Sequence, residues 1–480
     1  MFGKITLILA AMSILAAPAL GQSTAANVSG PVPAPDVPGS PSHNYIFFSS
    51  NRELAAHGYV EEEFVIKGTA SRFTTPESKT GAVQDTGHPY ETRIVVRRPL
   101  DPKRFNGTAI VEWDNVTNQF DAENVWFFDW EDMMRAGYVW VGVSPQHIGV
   151  DAPKKWSPVR YGDFNVSLGS PPAQGEDADT LSYDIFSQAG AELKHPGSVD
   201  MLHGLKPKVF IAAGESQSAG RLFTYVNSIH PLARVYDGFL LLSGGGRIRE
   251  DLLVPVFKIS TEHDVAVGAD LVRQPDTAMF RSWEVAGTSH VDQHLRAGRE
   301  PLELRDNGIS LEAAMAPQCA VPQVGTRVPT TYVVASAFDK LRRWAAGGPP
   351  PPSAPEIQVD QLNPRPAQSV IGRDKDGLAL GGIRLAQLAV PTQINYGLGK
   401  PFRSAIDSGI RGEAIGAGAC VRWGYSLDMT AEHLALRYPS HATYVAAVRK
   451  VTEAALKDGY ILNPDADETI HEAQVANIGR

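Results

Sequence analysis

The run KVFIAAGESQSAGRL, residues 208–222, decides the fold. Residues 208–213 form a continuous apolar stretch of strand length, and residues 221–227 are helix-forming. Between them lies GESQSAG, which is small and turn-prone. A strand that enters a helix through one sharp turn strains the residue at the apex and lifts its side chain above the sheet. The neighbours two positions away on either side must then be small. Ser216 meets this requirement with Gly214 and Ser218, a serine standing where a second glycine is usual. Ser218, between Ser216 and Gly220, is the competing frame. Ser216 is the better one because it follows the strand end closely and keeps glycine where the turn is tightest.

Working outward, strand-like runs recur on both sides: FVIK (64–67), RIVVR (93–97), TAIVEW (Thr108–Trp113), YVWVGVS (138–144), GFLLLS (238–243), VPVFKIS (254–260) and the shorter WEVA (283–286). Helical stretches alternate with them: an aromatic one through Trp126, Phe127 and Trp130 that ends before Gly137, another over residues 182–193, and an amphipathic one over 330–346. Gly347, Gly348 and the prolines at 349–352 stop the last. Alternation of this kind predicts an α/β chain with a mostly parallel central sheet flanked by helices, because continuous apolar strands suit a sheet covered on both faces. The core is placed at residues 60–346, a proline-rich linker at 347–355, and a C-terminal extension packed on the core at 356–480, with helices over 431–437 and 441–456. The aromatic residues between 113 and 130 read as core more readily than as a pocket lining.

The N-terminus reads as an export signal over residues 1–21: Lys4, then an apolar run of about 13 residues, then small residues before Gln22. That run is shorter than the ~20 residues a membrane span requires, and no later segment is apolar enough, so no stable membrane anchor is expected. Residues 22–59 read as a proline-rich arm, extended and poorly ordered over 32–41. A secreted or periplasmic location follows. Of 480 residues only Cys319 and Cys420 are cysteines, and in an oxidising compartment such a pair is a candidate disulfide, with two buried free thiols as the alternative. The net charge is −9 and no basic run occurs, which removes the footprint that phosphate-backbone binding needs and excludes nucleic acid as a partner.

A serine hydroxyl needs a base to take its proton, and the base needs an anion to fix its tautomer. Downstream, one strand ends in Thr261-Glu262-His263-Asp264 and the next in Gly287-Thr288-Ser289-His290. His290 is the candidate base. Asp264 is the candidate acid and Glu262 its alternative, Asp264 standing two residues later in the loop. His263, between two acids, reads as solvent-facing or as an ion-pair member. An oxyanion also needs two backbone N–H donors: one is assigned to Gln217, the other to Asn115 or Val116 in the loop after TAIVEW. His290 and His294 have i, i+4 spacing, but lack the adjacent Glu and third ligand of a zinc site. No metal or organic cofactor is implied.

Taken together, EWDNVT, WVGVSPQ, YDIFSQA, GESQSAGRL, TEHDV, WEVAGTSH and DGYILNPDA resemble the secreted bacterial group of alpha/beta hydrolase domain-containing proteins, over nearly the whole mature chain. The resemblance implies an α/β-hydrolase fold, a triad of Ser216, His290 and Asp264 or Glu262, and hydrolysis of a small-molecule carboxylic ester through an acyl-enzyme. It also implies that residues 381–397 (GGIRLAQLAVPTQINYG) belong to the same functional unit and wall the pocket. The alternatives are a peptidase, amidase or acyltransferase on the same triad, and a non-catalytic binding module that keeps the fold.

Overall fold

The computed structural model describes residues 26–168, 179–310, 319–321, 325–361, 369–400 and 420–479. Nine strands form one sheet: β1 Asn27–Ser29, β2 Tyr59–Phe73, β3 Val83–Pro99, β4 Thr108–Trp113, β5 Val139–Val143, β6 Val209–Glu215, β7 Gly238–Leu242, β8 Val256–Thr261 and β9 Phe280–Val285. Their order is β1-β2-β3-β5-β4-β6-β7-β8-β9. Pairing is antiparallel from β1 as far as β5 and parallel from β5 onward. Every residue of β4 to β8 is buried, as their unbroken apolar character requires of strands covered on both faces. The chain's helices include α1 Asn124–Ala136, α2 Ser182–Lys194, α3 Gln217–Thr224, α4 Glu262–Ala266, α5 Gln293–Asn307 and α6 Thr330–Ala345. The expected α/β sheet is therefore present, with α6 packed on β7 and β8.

The antiparallel end is longer than its apolar runs suggest. RIVVR is the inner part of the 17-residue β3, whose polar outer half pairs with β2 as a long hairpin. Its two arginines are buried, each between two carboxylates. Arg93 lies 3.4 Å from Glu63 and 3.2 Å from Asp121, while Arg97 lies 2.7 Å from Glu61 and 2.6 Å from Glu123. The Arg97 guanidinium also sits against the rings of Trp126 and Trp140. A buried guanidinium without such partners would carry its full desolvation cost.

The arm is packed on either side of its proline-rich stretch over 32–41. β1 adds to the sheet edge through Val28 opposite Ile66, and Tyr45, Phe47 and Phe48 are buried. Tyr45 Oη and the Phe48 amide both donate to Asp306 of α5, at 2.7 and 3.0 Å. The prolines that suggested an arm precede NYIFF (44–48), whose apolar surface is better buried than solvated. The signal over residues 1–21 lies outside the described residues.

The C-terminal extension shares the main core: Ile357, Leu378, Leu388 and Trp423 pack in one cluster with the sheet. A smaller satellite cluster gathers Val390, Tyr438, Tyr444, Val448 and Ala473. Among the described residues no helix is long and apolar enough to cross a membrane. Cys319 and Cys420 form a disulfide, their Cα atoms 5.7 Å apart and 101 residues apart in sequence. Closing so long a loop removes denatured-state entropy. Replacing both cysteines by serine is expected to cost about 2–4 kcal/mol, read from the urea unfolding midpoint; an unchanged midpoint would contradict this.

Candidate active site

β6 runs through Glu215, and α3 begins at Gln217, leaving one residue for the turn. That residue is Ser216, at φ 58° and ψ −115°, a conformation that costs of order 1–3 kcal/mol and persists only where its surroundings enforce it. They do so closely. A Cβ on Gly214 would lie 3.0 Å from the Ser218 carbonyl carbon, and one on Gly244 would lie 2.4 Å from the Ser216 carbonyl oxygen. Ser218 fits where a glycine is usual because its hydroxyl is used. Its Oγ accepts the Glu215 N–H at 3.1 Å and donates to the Glu215 carbonyl at 2.8 Å. The competing frame is thus a buried strap across the turn. Ser218→Ala is expected to lose about 1 kcal/mol of stability while leaving Ser216 open to fluorophosphonate; loss of labelling in this variant would contradict the assignment.

His290 follows β9 on a loop fixed by its own side chains: Thr288 Oγ1 donates to the Val285 carbonyl and Ser289 Oγ to that of Val291. Its Nε2 is 2.7 Å from Ser216 Oγ and its Nδ1 2.8 Å from Asp264 Oδ1. Because a carboxylate can only accept, Nδ1 carries the proton and Nε2 accepts from the serine hydroxyl. Asp264 is itself held. Its Oδ2 accepts the Thr261 N–H and hydroxyl, both at 2.8 Å, closing the capping box that starts α4. Burial would raise the Asp264 carboxyl, but hydrogen bonds from His263 and His290 outweigh it and keep it well below its ordinary range. Burial would likewise depress His290, yet the charge of Glu215 and then the hydrogen bond to Asp264 raise it. His263 is not solvent-facing, one of its two expected readings: it is buried, 3.2 Å from Asp264 Oδ1, and burial lowers its pKa.

Glu262, the alternative acid, points elsewhere. Its Oε2 accepts the Gly287 N–H at 2.8 Å, and its Oε1 accepts the Gly397 N–H at 3.2 Å and the Arg373 guanidinium at 2.5 Å. It is fully buried and ties the segment over residues 381–397 to the core. His294 faces Glu131 at 3.1 Å, not the site, so the two histidines at i, i+4 do not converge. Among the described residues, the group of histidine and acid atoms near enough to share an ion is His263, Asp264 and His290. There, Asp264 Oδ1 and His290 Nδ1 are taken up by their mutual hydrogen bond.

The donors assigned to the oxyanion are arranged unevenly. Gln217 is the first residue of α3, so its N–H has no intrahelical acceptor. Asn115 does not fit the expectation: its N–H donates to the Ala122 carbonyl at 2.9 Å in a β-bridge, and its amide Nδ2 donates to the Glu215 carbonyl at 2.9 Å. A peptide N–H committed to a bridge cannot face a ligand. Val116 is the other donor assigned there, its N–H only loosely engaged by Gln217 Oε1 at 3.4 Å. Gln217 Nε2 in turn donates to Gln146 Oε1, as does Trp113 Nε1, both at 2.9 Å. The aromatic residues before this site are core, as expected: Trp113, Trp126 and Phe128 are buried.

One residue at the site carried no signal in the spacing. Glu215, directly before Ser216, is buried with Oε1 3.2 Å from His290 Nε2. Inside GESQS it looks like a strand-end residue. Only its place next to a strained apex, where alternation turns it toward the neighbouring loop, marks it.

A serine–histidine–aspartate relay at the carboxyl end of a mostly parallel sheet is the arrangement that activates a hydroxyl for attack on a carbonyl. The sequence model of the Alpha/beta hydrolase domain matches residues 28–471, and the chain belongs to that family. It is an α/β hydrolase. Among solved structures it is similar to a serine hydrolase without lid from Xanthomonas campestris (11% identity, 50% of this chain and 94% of that one, TM-score 0.28). It is also similar to esterase Est22 (13%, 54% and 80%, TM-score 0.30) and to a glucuronoyl esterase from Solibacter usitatus (7%, 49% and 80%, TM-score 0.26). Likenesses of this size bear on neither activity nor substrate. No match was found among curated proteins.

Proposed function

We propose that this α/β hydrolase is an exported serine esterase that cleaves a carboxylic ester through an acyl-enzyme. The observation that carries the reading is the strained Ser216, with its Oγ 2.7 Å from an imidazole whose other nitrogen is 2.8 Å from a carboxylate. In the first half-reaction Ser216 Oγ attacks the ester carbonyl carbon as His290 Nε2 takes its proton. The carbonyl oxygen becomes an oxyanion facing the N–H groups of Gln217 and Val116. Collapse breaks the acyl–oxygen bond, and His290 returns the proton to the leaving alcohol. Water then repeats the sequence against the acyl-enzyme, releasing the acid and free Ser216. Asp264 holds the Nδ1–H tautomer throughout. The disulfide fits an oxidising compartment and so supports the export reading.

The test is hydrolysis of nitrophenyl and natural esters against matched anilides, with Ser216→Ala as the blank. Ester cleavage dependent on Ser216 is expected, with anilides far slower; anilide cleavage at the ester rate would overturn the ester assignment in favour of an amidase. The pH dependence has a definite sign. Only neutral His290 accepts the serine proton, and its pKa is raised above the ordinary 6.5. kcat/KM is therefore expected to rise with pH through a midpoint above 6.5; a midpoint below that value would contradict the geometry around His290.

A further inference from the structure

His290 has carboxylates on both sides. Asp264 takes its Nδ1–H, and on the opposite edge Glu215 Oε1 stands 3.2 Å from Nε2. This second contact is not an aligned hydrogen bond: Oε1 is a buried atom with no hydrogen-bond partner among the described residues, while Ser216 Oγ holds the Nε2 position. Glu215 is nevertheless held in place by its other oxygen. Oε2 accepts the Asn124 side-chain amide at 2.7 Å and lies 3.5 Å from that of Asn115. Buried acceptors are almost always satisfied, and one left open beside a site calls for an explanation.

We propose that Glu215 is a second carboxylate for His290, a positioning residue that stabilises the imidazolium from the serine side as Asp264 does from the other. The proposal rests on the esterase reading. When Ser216 attacks, the proton arrives on Nε2 and positive charge appears on a ring enclosed by protein. A fixed negative charge within about 4 Å of it, out of water, favours that state without competing for the N–H that must reach the leaving group. The orientation is what makes this workable. A carboxylate aligned with Nε2 would capture the proton, whereas one set off the line supplies charge alone.

The groups facing the pair are few. His290 meets Asp264 and His263 from α4, Glu215 from β6, and the opposing charge of Arg422. Glu215 meets His290 and Asp264, with Arg299 of α5 and Arg422 as nearby cations. Burial raises the Glu215 carboxyl, and the charge of His290 and the Asn124 hydrogen bond counter it. Neither arginine displaces Glu215 from the imidazole edge.

A direct test is the titration of the His290 ring by NMR in the carbon-13 histidine-labelled chain, assigned from the signal lost in His290→Gln. Glu215→Gln removes the charge and keeps an acceptor for Asn124; Glu215→Met is a second neutral variant should the first not fold; Glu215→Asp restores the charge. Either neutral variant is expected to bind the His290 proton at least about tenfold more weakly than wild type, with the aspartate variant closer to wild type and the acid limb of kcat/KM moving with the titration. An unchanged His290 titration in a folded neutral variant would overturn the proposal and leave Glu215 as a scaffold for Asn115 and Asn124. The titration needs no turnover. A tenfold drop together with no Ser216-dependent ester cleavage in wild type would support the electrostatic role and count against the esterase reading alone.

Discussion

Ser216→Ala is expected to lower kcat for ester hydrolysis by about 10⁴-fold to 10⁶-fold, which at 1.36 kcal/mol per decade is about 5–8 kcal/mol of transition-state stabilisation. The loss is large because, in the proposed reaction, the serine hydroxyl supplies the atom that forms the bond, and Ser218 does not occupy its position beside His290. Ser218 Oγ is spent on the Glu215 N–H and carbonyl. Stability should change little, since among the described residues the Ser216 hydroxyl bonds to His290 Nε2 and the tight packing at Gly214 and Gly244 does not involve the hydroxyl. Stopped assays at high enzyme concentration, with unfolding followed in parallel, separate a chemical loss from a structural one. Residual activity within tenfold of wild type would mean that another group is the nucleophile.

The second large effect divides two neighbouring acids. Asp264→Asn is expected to reduce kcat by about 10⁴-fold while the chain stays folded, because an amide facing Nδ1 no longer fixes the tautomer that leaves Nε2 free to accept. Glu262→Ala is expected to act in the opposite way. It leaves the Gly287 and Gly397 amides and the Arg373 guanidinium without their acceptor, and removing one partner from a buried charged network costs about 3–5 kcal/mol of stability. Activity per folded molecule should fall far less than in Asp264→Asn. If Glu262→Gln lost 10⁴-fold in kcat with unchanged stability, and Asp264→Asn did not, the acid would be Glu262.

Much of this arrangement was legible because the elbow and the strand ends are local. The small residues around Ser216, and the positions of Asp264 and His290 just beyond consecutive strands, follow from turn sterics and chain order. The choice between Asp264 and Glu262 was open in sequence, since both follow β8. It turns on Asp264 closing a capping box with Thr261, which aims its second oxygen at His290. Asn115 fails as a donor for a similar reason: its loop has the right position, but a β-bridge to Ala122 consumes the amide, and bridges between short loops leave no periodic trace in a sequence. The prolines over 32–41 suggest a loose arm, while the aromatic cluster at 44–48 packs the residues that follow. The outer half of β3 is polar on both sides and reads as loop. Pairing with β2 makes it strand.

The most direct measurement of the central claim is the adduct formed when intact wild-type protein meets a fluorophosphonate, mapped by peptide mass spectrometry. A single phosphonyl group on the peptide bearing Ser216, absent from Ser216→Ala and retained in Ser218→Ala, is the result predicted. No adduct on folded protein, or an adduct that persists in Ser216→Ala, would contradict it.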